Sequence, residues 1–421
     1  MSSLPLPLRV LRNATLADGS LVDVELGGGR VVSTRPAAPD SAPTEGGEDG
    51  ADVLDLTGYV LLPAPAEPHA HLDKARSWDL IAPPMGDLVK AIESWHAFSD
   101  AMTVSSIADR ARTQALAMLR NGTTAIRCHV DLLPGPDPLR GARALLRVRD
   151  ELRDLLDLEL VTLCTDLVPD AVIEEALDLG LDLVGGAPHL AADPLGEVRR
   201  LLAIAENRGV GADLHTDEAL DGEPTILEFA RIVRDWQVPV SAGHCVRLGT
   251  LDEADLAEVV DAVLASDIGI ITLPITNLYL QGWEHPVATP RGLTAVRTLL
   301  DAGVRLGAGA DNVRDPFNPV GRSDALETAS LLVTAAHLTL DEAYAAVSTG
   351  ARSVMSLPEA GPTPGAAAEL LAVRADSLAE VIAEASPERL VIHAGSLVAR
   401  STLSVELAAP NLTNPRIGVA V

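Results

Sequence analysis

From residue 60 onward the chain repeats one unit: a short apolar run of strand type followed by a longer stretch of helical period. The runs are VLLPAPAEP (60–68), TTAIRCHVD (123–131), LELVTLCTD (158–166), LDLVGGAP (181–188), VGADLHTDE (210–218), VPVSAGHC (238–245), IGIITLPI (268–275) and VRLGAGAD (304–311). Between them lie segments such as SIADRARTQALAMLRNG, where apolar residues recur at three and four and Gly122 supplies the stop. Strand and helix in strict alternation make βα units and a parallel sheet. A doubly wound open sheet gives a similar string, but eight units in order favour an α/β fold of the (β/α)8 TIM barrel type.

The flanks read differently. Residues 1–59 alternate apolar and polar in short pieces (LRVLRNATL, VDVELGGGRVVSTR, ADVLDL) with turns at Asp18-Gly19 and Gly27–Gly29, as hairpins do. Residues 36–52 are Pro, Gly and acid without period, the signature of a flexible surface loop. After about residue 356 strand-like pieces return (AAAELLAVRAD, RLVIHAGSLVARS). The expected organisation is therefore a composite β-domain, a small β-sandwich built from 1–59 and 356–421, around a catalytic barrel at 60–355.

Charge and composition narrow the function. A net charge of −28 repels the phosphate backbone, so nucleic acid is excluded as a partner and a small molecule is favoured. No stretch of eighteen uncharged apolar residues is present, and the N-terminus has no charged segment leading into an apolar one. A cytoplasmic protein with no membrane partner is the expectation. Cys128, Cys164 and Cys245 lack CxxC spacing, which argues against a disulfide framework and a cysteine-held zinc. Only two lysines occur, Lys74 and Lys90.

Chemistry-bearing residues sit where a barrel would place its site, at the C-terminal ends of the strands. His69 and His71, in EPHAHLDK, are two apart and project to the same side of a strand. His129, His215 with Glu218, His244 and Asp311 occupy four further strand ends. Imidazoles with one carboxylate suit zinc or iron(II). His129 reads equally as a structural or a substrate-contacting residue. His189, His96, His337 and His393 read as structural, and His285 falls in a loop.

These motifs resemble the metal-dependent amidohydrolase superfamily, and within it the cytosine deaminase-like branch that also holds N-isopropylammelide amidohydrolase. EPHAHLDKA, RCHVD, LHTDE, AGHC, ITNLYLQG and GADNVRDPFNPVG carry the resemblance, in order, from residue 60 to about 325. It implies one divalent metal ion per chain, zinc or iron(II), held by His69, His71, His215 and Asp311. It makes Glu218 the proton shuttle, His244 a stabiliser of developing charge, and Asp311 the acceptor of a proton from a water whose pKa the metal lowers to about 7. No lysine stands at the fourth strand to bridge two metals, and Asp166 is the one carboxylate near enough to question a single ion. A homo-oligomer is the family expectation.

Departures from the family pattern concern the substrate. Thr165 or a neighbour stands where cytosine deaminases carry a glutamine, Asn312 where they have a second aspartate, and Phe317 where they have a tryptophan. Lys74 is either a surface residue or a positive group beside a carbonyl-rich substrate; Gln281 either bonds substrate or caps the seventh loop. The expected reaction is hydrolytic loss of an exocyclic amine from a nitrogen heterocycle, such as a cytosine-like pyrimidine or an aminotriazine. Cyclic amide hydrolysis on the same scaffold, or a non-catalytic binding protein, are the rivals.

Overall fold

The computed structural model describes residues 4–37, 52–99, 101–133 and 135–406. The loop expected at 36–52 lies, over 38–51, outside the described residues, as does the tail from 407.

Seven parallel strands and one pair of bridged residues follow one another around a barrel. Ala66–Ala70, Ala125–Asp131 and Asp157–Leu163 pair in order. Ala212–Thr216, Val240–His244, Gly269–Thr272 and Leu306–Ala308 do the same. Two parallel bridges, Val161 to Leu183 and Val184 to Ala212, insert that pair as the fourth position between these groups, and a bridge from Ala70 to Asp311 closes the circle. The fourth position leads into Gly185, where only a glycine fits. A side chain at Gly185 would come within 2.4 Å of the Thr162 carbonyl and 2.6 Å of that of Asp213, so the neighbouring backbones already press against it.

Helices wrap the ring, and their ends follow local chemistry. Val104–Arg120 begins where Thr103 accepts a hydrogen bond from the Ser106 amide, satisfying one of the helix's free donors. It stops at Asn121, and Gly122 follows at φ +114°, a conformation that costs glycine little. Leu145, Val148, Leu202 and Phe229 point from the helices into the core around the strands and are buried. Trimming such a side chain to alanine costs about 2–5 kcal/mol.

A second body joins both chain ends in one nine-stranded sheet. Its order is Leu6–Pro7, Ser396–Arg400, Arg389–His393, Leu370–Arg374, Tyr59–Pro63, Val10–Thr15, Leu21–Gly27 and Arg30–Pro36, with Val53–Asp55 against Val10–Thr15. Leu11, Val24, Leu61, Leu370, Leu390 and Leu397 share its separate core. The apolar run 60–68 is thus two strands rather than one. Tyr59–Pro63 pairs antiparallel with Leu370–Arg374 in the small sheet, and the barrel starts at Ala66. Pro63 and Pro65 lack the N–H that a continuous ladder needs, so the chain changes sheets between them.

Candidate metal centre and cavity

His69 and His71 emerge from the end of the first barrel strand on the same side, as their spacing requires. Their Nε2 atoms each lie 3.2 Å from Nε2 of His215, which ends the fifth strand. Asp311 brings Oδ1 to 3.1 Å from His71 Nε2 and 3.9 Å from His69 Nε2. Three ring nitrogens and one carboxylate oxygen converge, all buried. A tetrahedral ion with bonds of about 2.0–2.1 Å sets its donors roughly 3.3 Å apart, so these spacings fit a metal.

The electrostatics agree. Burial, with mutual repulsion from the other imidazoles, holds His69 and His215 well below the usual histidine range; burial and Lys74 do the same for His71. Neutral imidazole is the form that binds metal. Burial, reinforced by Glu218, Asp315 and Glu67, drives the Asp311 carboxyl well above its ordinary range, and neither of its oxygens has a hydrogen-bond partner among the described residues. A divalent cation is the group that answers both facts. Behind it Glu67 accepts from the His69 and Ala310 amides, and burial pushes it up to about 8.

One other grouping of donors exists among the described residues, His69 with His129 and His215. His129 lies beneath the cluster, its ring 4.0 Å from that of His69 and its Nε2 3.5 Å from Asp213 Oδ1. Asp213 is engaged by the fully buried Arg127 at 2.7 Å and by Ser241 at 2.7 Å. The Arg127 guanidinium on Asp213 disfavours a cation on this side of the cluster.

Above the cluster opens a cavity of about 730 Å³, counted with its mouth, where His71, His215, Glu218, His244, Asn312 and Lys74 meet Trp95, Leu133, Leu163 and Phe317. Glu218 Oε1 is 3.6 Å from His244 Nδ1, and Oε2 is 3.5 Å from His189 Nε2. Burial raises its pKa, but His244 and His189 outweigh burial and leave it lowered. Burial brings His244 down to about 4, against the pull of Glu218. The Asn277 amide nitrogen stands 3.0 Å from His244 Nδ1, and Nε2 is left without a partner.

Lys74 is no surface residue. It is 3% exposed; Nζ lies 2.9 Å from Asp131 Oδ1, 3.3 Å from His71 Nδ1 and 5.5 Å from the centre of the Trp95 ring. Trp95 is held in turn by its indole N–H on Asp131 Oδ2 at 2.5 Å. Thr165, Phe317 and Asn312 line the same cavity. Gln281 does not: its amide donates to the Glu218 carbonyl at 2.7 Å and braces the loop that carries the carboxylate. Asp166 is also absent from the lining. His96, read as structural, lines the cavity from the helix Leu88–Ser99.

Several strand-end residues adopt left-handed backbone, with φ of +50° at Asp217, +67° at His244, +50° at Cys245 and +61° at Asp311. Such conformations cost a non-glycine residue of order 1–3 kcal/mol and cluster at working sites. Asn277, His189 and Asp131 belong to the site's immediate surroundings without having been singled out for it. Asn277 stands inside ITNLYLQG, so the motif carried a signal that its glutamine drew away.

The sequence model of the amidohydrolase family matches residues 96–399. A pterin deaminase of Rhizobium rhizogenes is 30% identical over 361 residues, covering 82% of this chain and 82% of that protein. The crystal structure of 5-methylcytosine deaminase from Klebsiella pneumoniae with 5-fluorocytosine has a TM-score of 0.85 at 25% identity, covering 94% of this chain and 99% of that one. N-isopropylammelide isopropylaminohydrolase from Burkholderia multivorans has a TM-score of 0.76 at 28% identity, with 93% and 98% covered.

Proposed function

The chain belongs to the amidohydrolase family, as a hydrolase of carbon–nitrogen bonds other than peptide bonds, and on that premise we propose that it deaminates a nitrogen heterocycle hydrolytically. The observation that carries the reading is the triad of His69, His71 and Asp311, with His215 Nε2 3.2 Å from both histidines, beneath a cavity lined by His71, His215, Glu218 and His244. Those four residues hold one divalent ion, zinc or iron(II), and when bound it supplies a water activated for attack at neutral pH.

The chain's own groups do the rest. Asp311 takes a proton from the attacking water. Glu218, ionised at the outset, takes the water's other proton and delivers it to a ring nitrogen; the proton on Asp311 then passes by way of Glu218 to the leaving amine as the C=O bond forms, so that the exocyclic C–N bond breaks and ammonia departs. Asn277 donates to His244 Nδ1, which leaves Nε2–H as the donor towards the oxygen that bonds to carbon. Lys74, Trp95 and Phe317 position the ring, and the similarity to pterin deaminase makes pterins the first class to try.

The test is ammonia release from pterins, aminopyrimidines, aminotriazines and creatinine-like rings, using protein of known metal content. One class turning over with about one ion per chain is the expected result. Ring-opened product without ammonia would instead mark a cyclic amide hydrolase, and a metal-free protein without activity a binding protein.

A further inference from the structure

The loop after the eighth strand is built around one carboxylate. Asp315, fully buried, accepts from the Phe317 amide at 2.9 Å and the Asn318 amide at 3.3 Å through Oδ1. Its Oδ2 accepts from Asn312 Nδ2 at 2.8 Å. Asn318 closes the frame by donating its own amide to the Asn312 carbonyl at 3.0 Å. A carboxylate can only accept, so it settles which end of the Asn312 amide faces it. Asn312 lines the cavity, its nitrogen is taken, and its Oδ1 has no hydrogen-bond partner among the described residues.

We propose that Asp315 is a positioning residue that presents Asn312 to the cavity as an acceptor alone, so that the site selects rings carrying an N–H beside the amino-bearing carbon. This rests on the deaminase reading above and sharpens its substrate class. Asn312 and Glu218 line one cavity with His71 and His215, so an acceptor and a proton donor both face a ring bound there. The fitting edge has the amino-bearing carbon between a bare ring nitrogen, for Glu218, and a ring N–H, for Asn312. A 2-amino-4-oxo edge has this pattern, and its carbonyl offers Lys74 an acceptor. In cytosine the amino-bearing carbon has a C–H on that side, which leaves the Asn312 oxygen unpaired. A ring with bare nitrogens on both sides sets lone pair against lone pair.

The wild-type enzyme gives the first test, comparing pterin with 3-methylpterin and with cytosine. Pterin is expected to exceed both by about tenfold or more in kcat/KM; equal turnover of the methylated ring overturns the proposal. Asp315→Asn lets the Asn312 amide turn over. It is expected to lower kcat/KM for pterin by about 10- to 100-fold, with the metal retained and the preference over cytosine narrowed. The double exchange N312D/D315N reverses the hydrogen bond while again showing the cavity an acceptor, and is expected to regain much of the lost preference. A uniform loss on every ring, or a double variant no better than D315N, overturns the proposal and leaves the deaminase reading standing. If no ring yields ammonia, the deaminase reading falls and this inference falls with it.

Discussion

The mouth of the barrel and the small sheet are equally well buried, yet they treat polar groups in opposite ways. In the sheet, Glu369 accepts from His393 Nδ1 at 2.9 Å and from the Ala394 amide at 2.8 Å, and Arg389 meets Asp324 through two bonds of 2.7 and 2.8 Å. Among the described residues, no buried side-chain nitrogen or oxygen between 4 and 63, or between 356 and 406, is left without a partner. At the mouth, Nε2 of His244 and both oxygens of Asp311 are left so, and the Nε2 atoms of His69, His71 and His215 meet only one another and Asp311. An unmet buried polar group costs roughly 1–3 kcal/mol, and a carboxylate bare on both oxygens beside ring nitrogens that meet only one another is the arrangement a bound cation would complete.

The comparison breaks most visibly if the reserved donors are removed. His215→Ala takes away the nitrogen that lies 3.2 Å from both His69 and His71. Bound metal and turnover should fall together to background, as measured by metal analysis and ammonia release. A fully metallated, active variant would dismiss the ligand set. Glu218→Gln separates the two roles, because it leaves the four donors alone. Metal should stay near one ion per chain while kcat drops by about 10²- to 10⁴-fold, and near-normal turnover would remove Glu218 from proton transfer.

How far these residues could be read from the chain depends on how far apart in sequence the interacting groups lie. The strand ends were legible because period two and barrel geometry are local rules, which set His69, His71, His129, His215, His244 and Asp311 at one end of the barrel; the choice of ligands among them came from the family resemblance. The change of sheet at 63–66 was hidden, because one apolar run serves two partners and only the prolines within it mark the break. Lys74 was ambiguous, since its burial comes from Asp131, Trp95 and Phe317, each contributed by a different segment. Gln281 and Asn277 are four residues apart; one braces the Glu218 loop and the other holds His244, and no sequence rule ranks them. His189 gained its neighbour only because the chain after the fourth strand turns it towards Glu218.

The smallest expected effect belongs to the completed region, and its sign is what matters. Burial alone would lower the pKa of His393, but the hydrogen bond and charge of Glu369, with Asp157 nearby, raise it above the ordinary histidine value. A pKa raised on folding contributes stability that is fully present below the unfolded value of about 6.5 and is lost as pH climbs through the folded value. His393→Gln keeps a donor for Glu369 and loses the charge. The variant should therefore be less stable than the parent by about 1–2 kcal/mol at pH 6, and the gap should close as the pH rises above neutrality, with metal content and ammonia release unchanged at every pH. Urea midpoints of parent and variant across that range read it directly. A gap that stays the same across the pH range would mean that the pair is held by packing rather than charge, and a loss of turnover would mean that the sheet and the mouth are not the separate regions their hydrogen bonding describes.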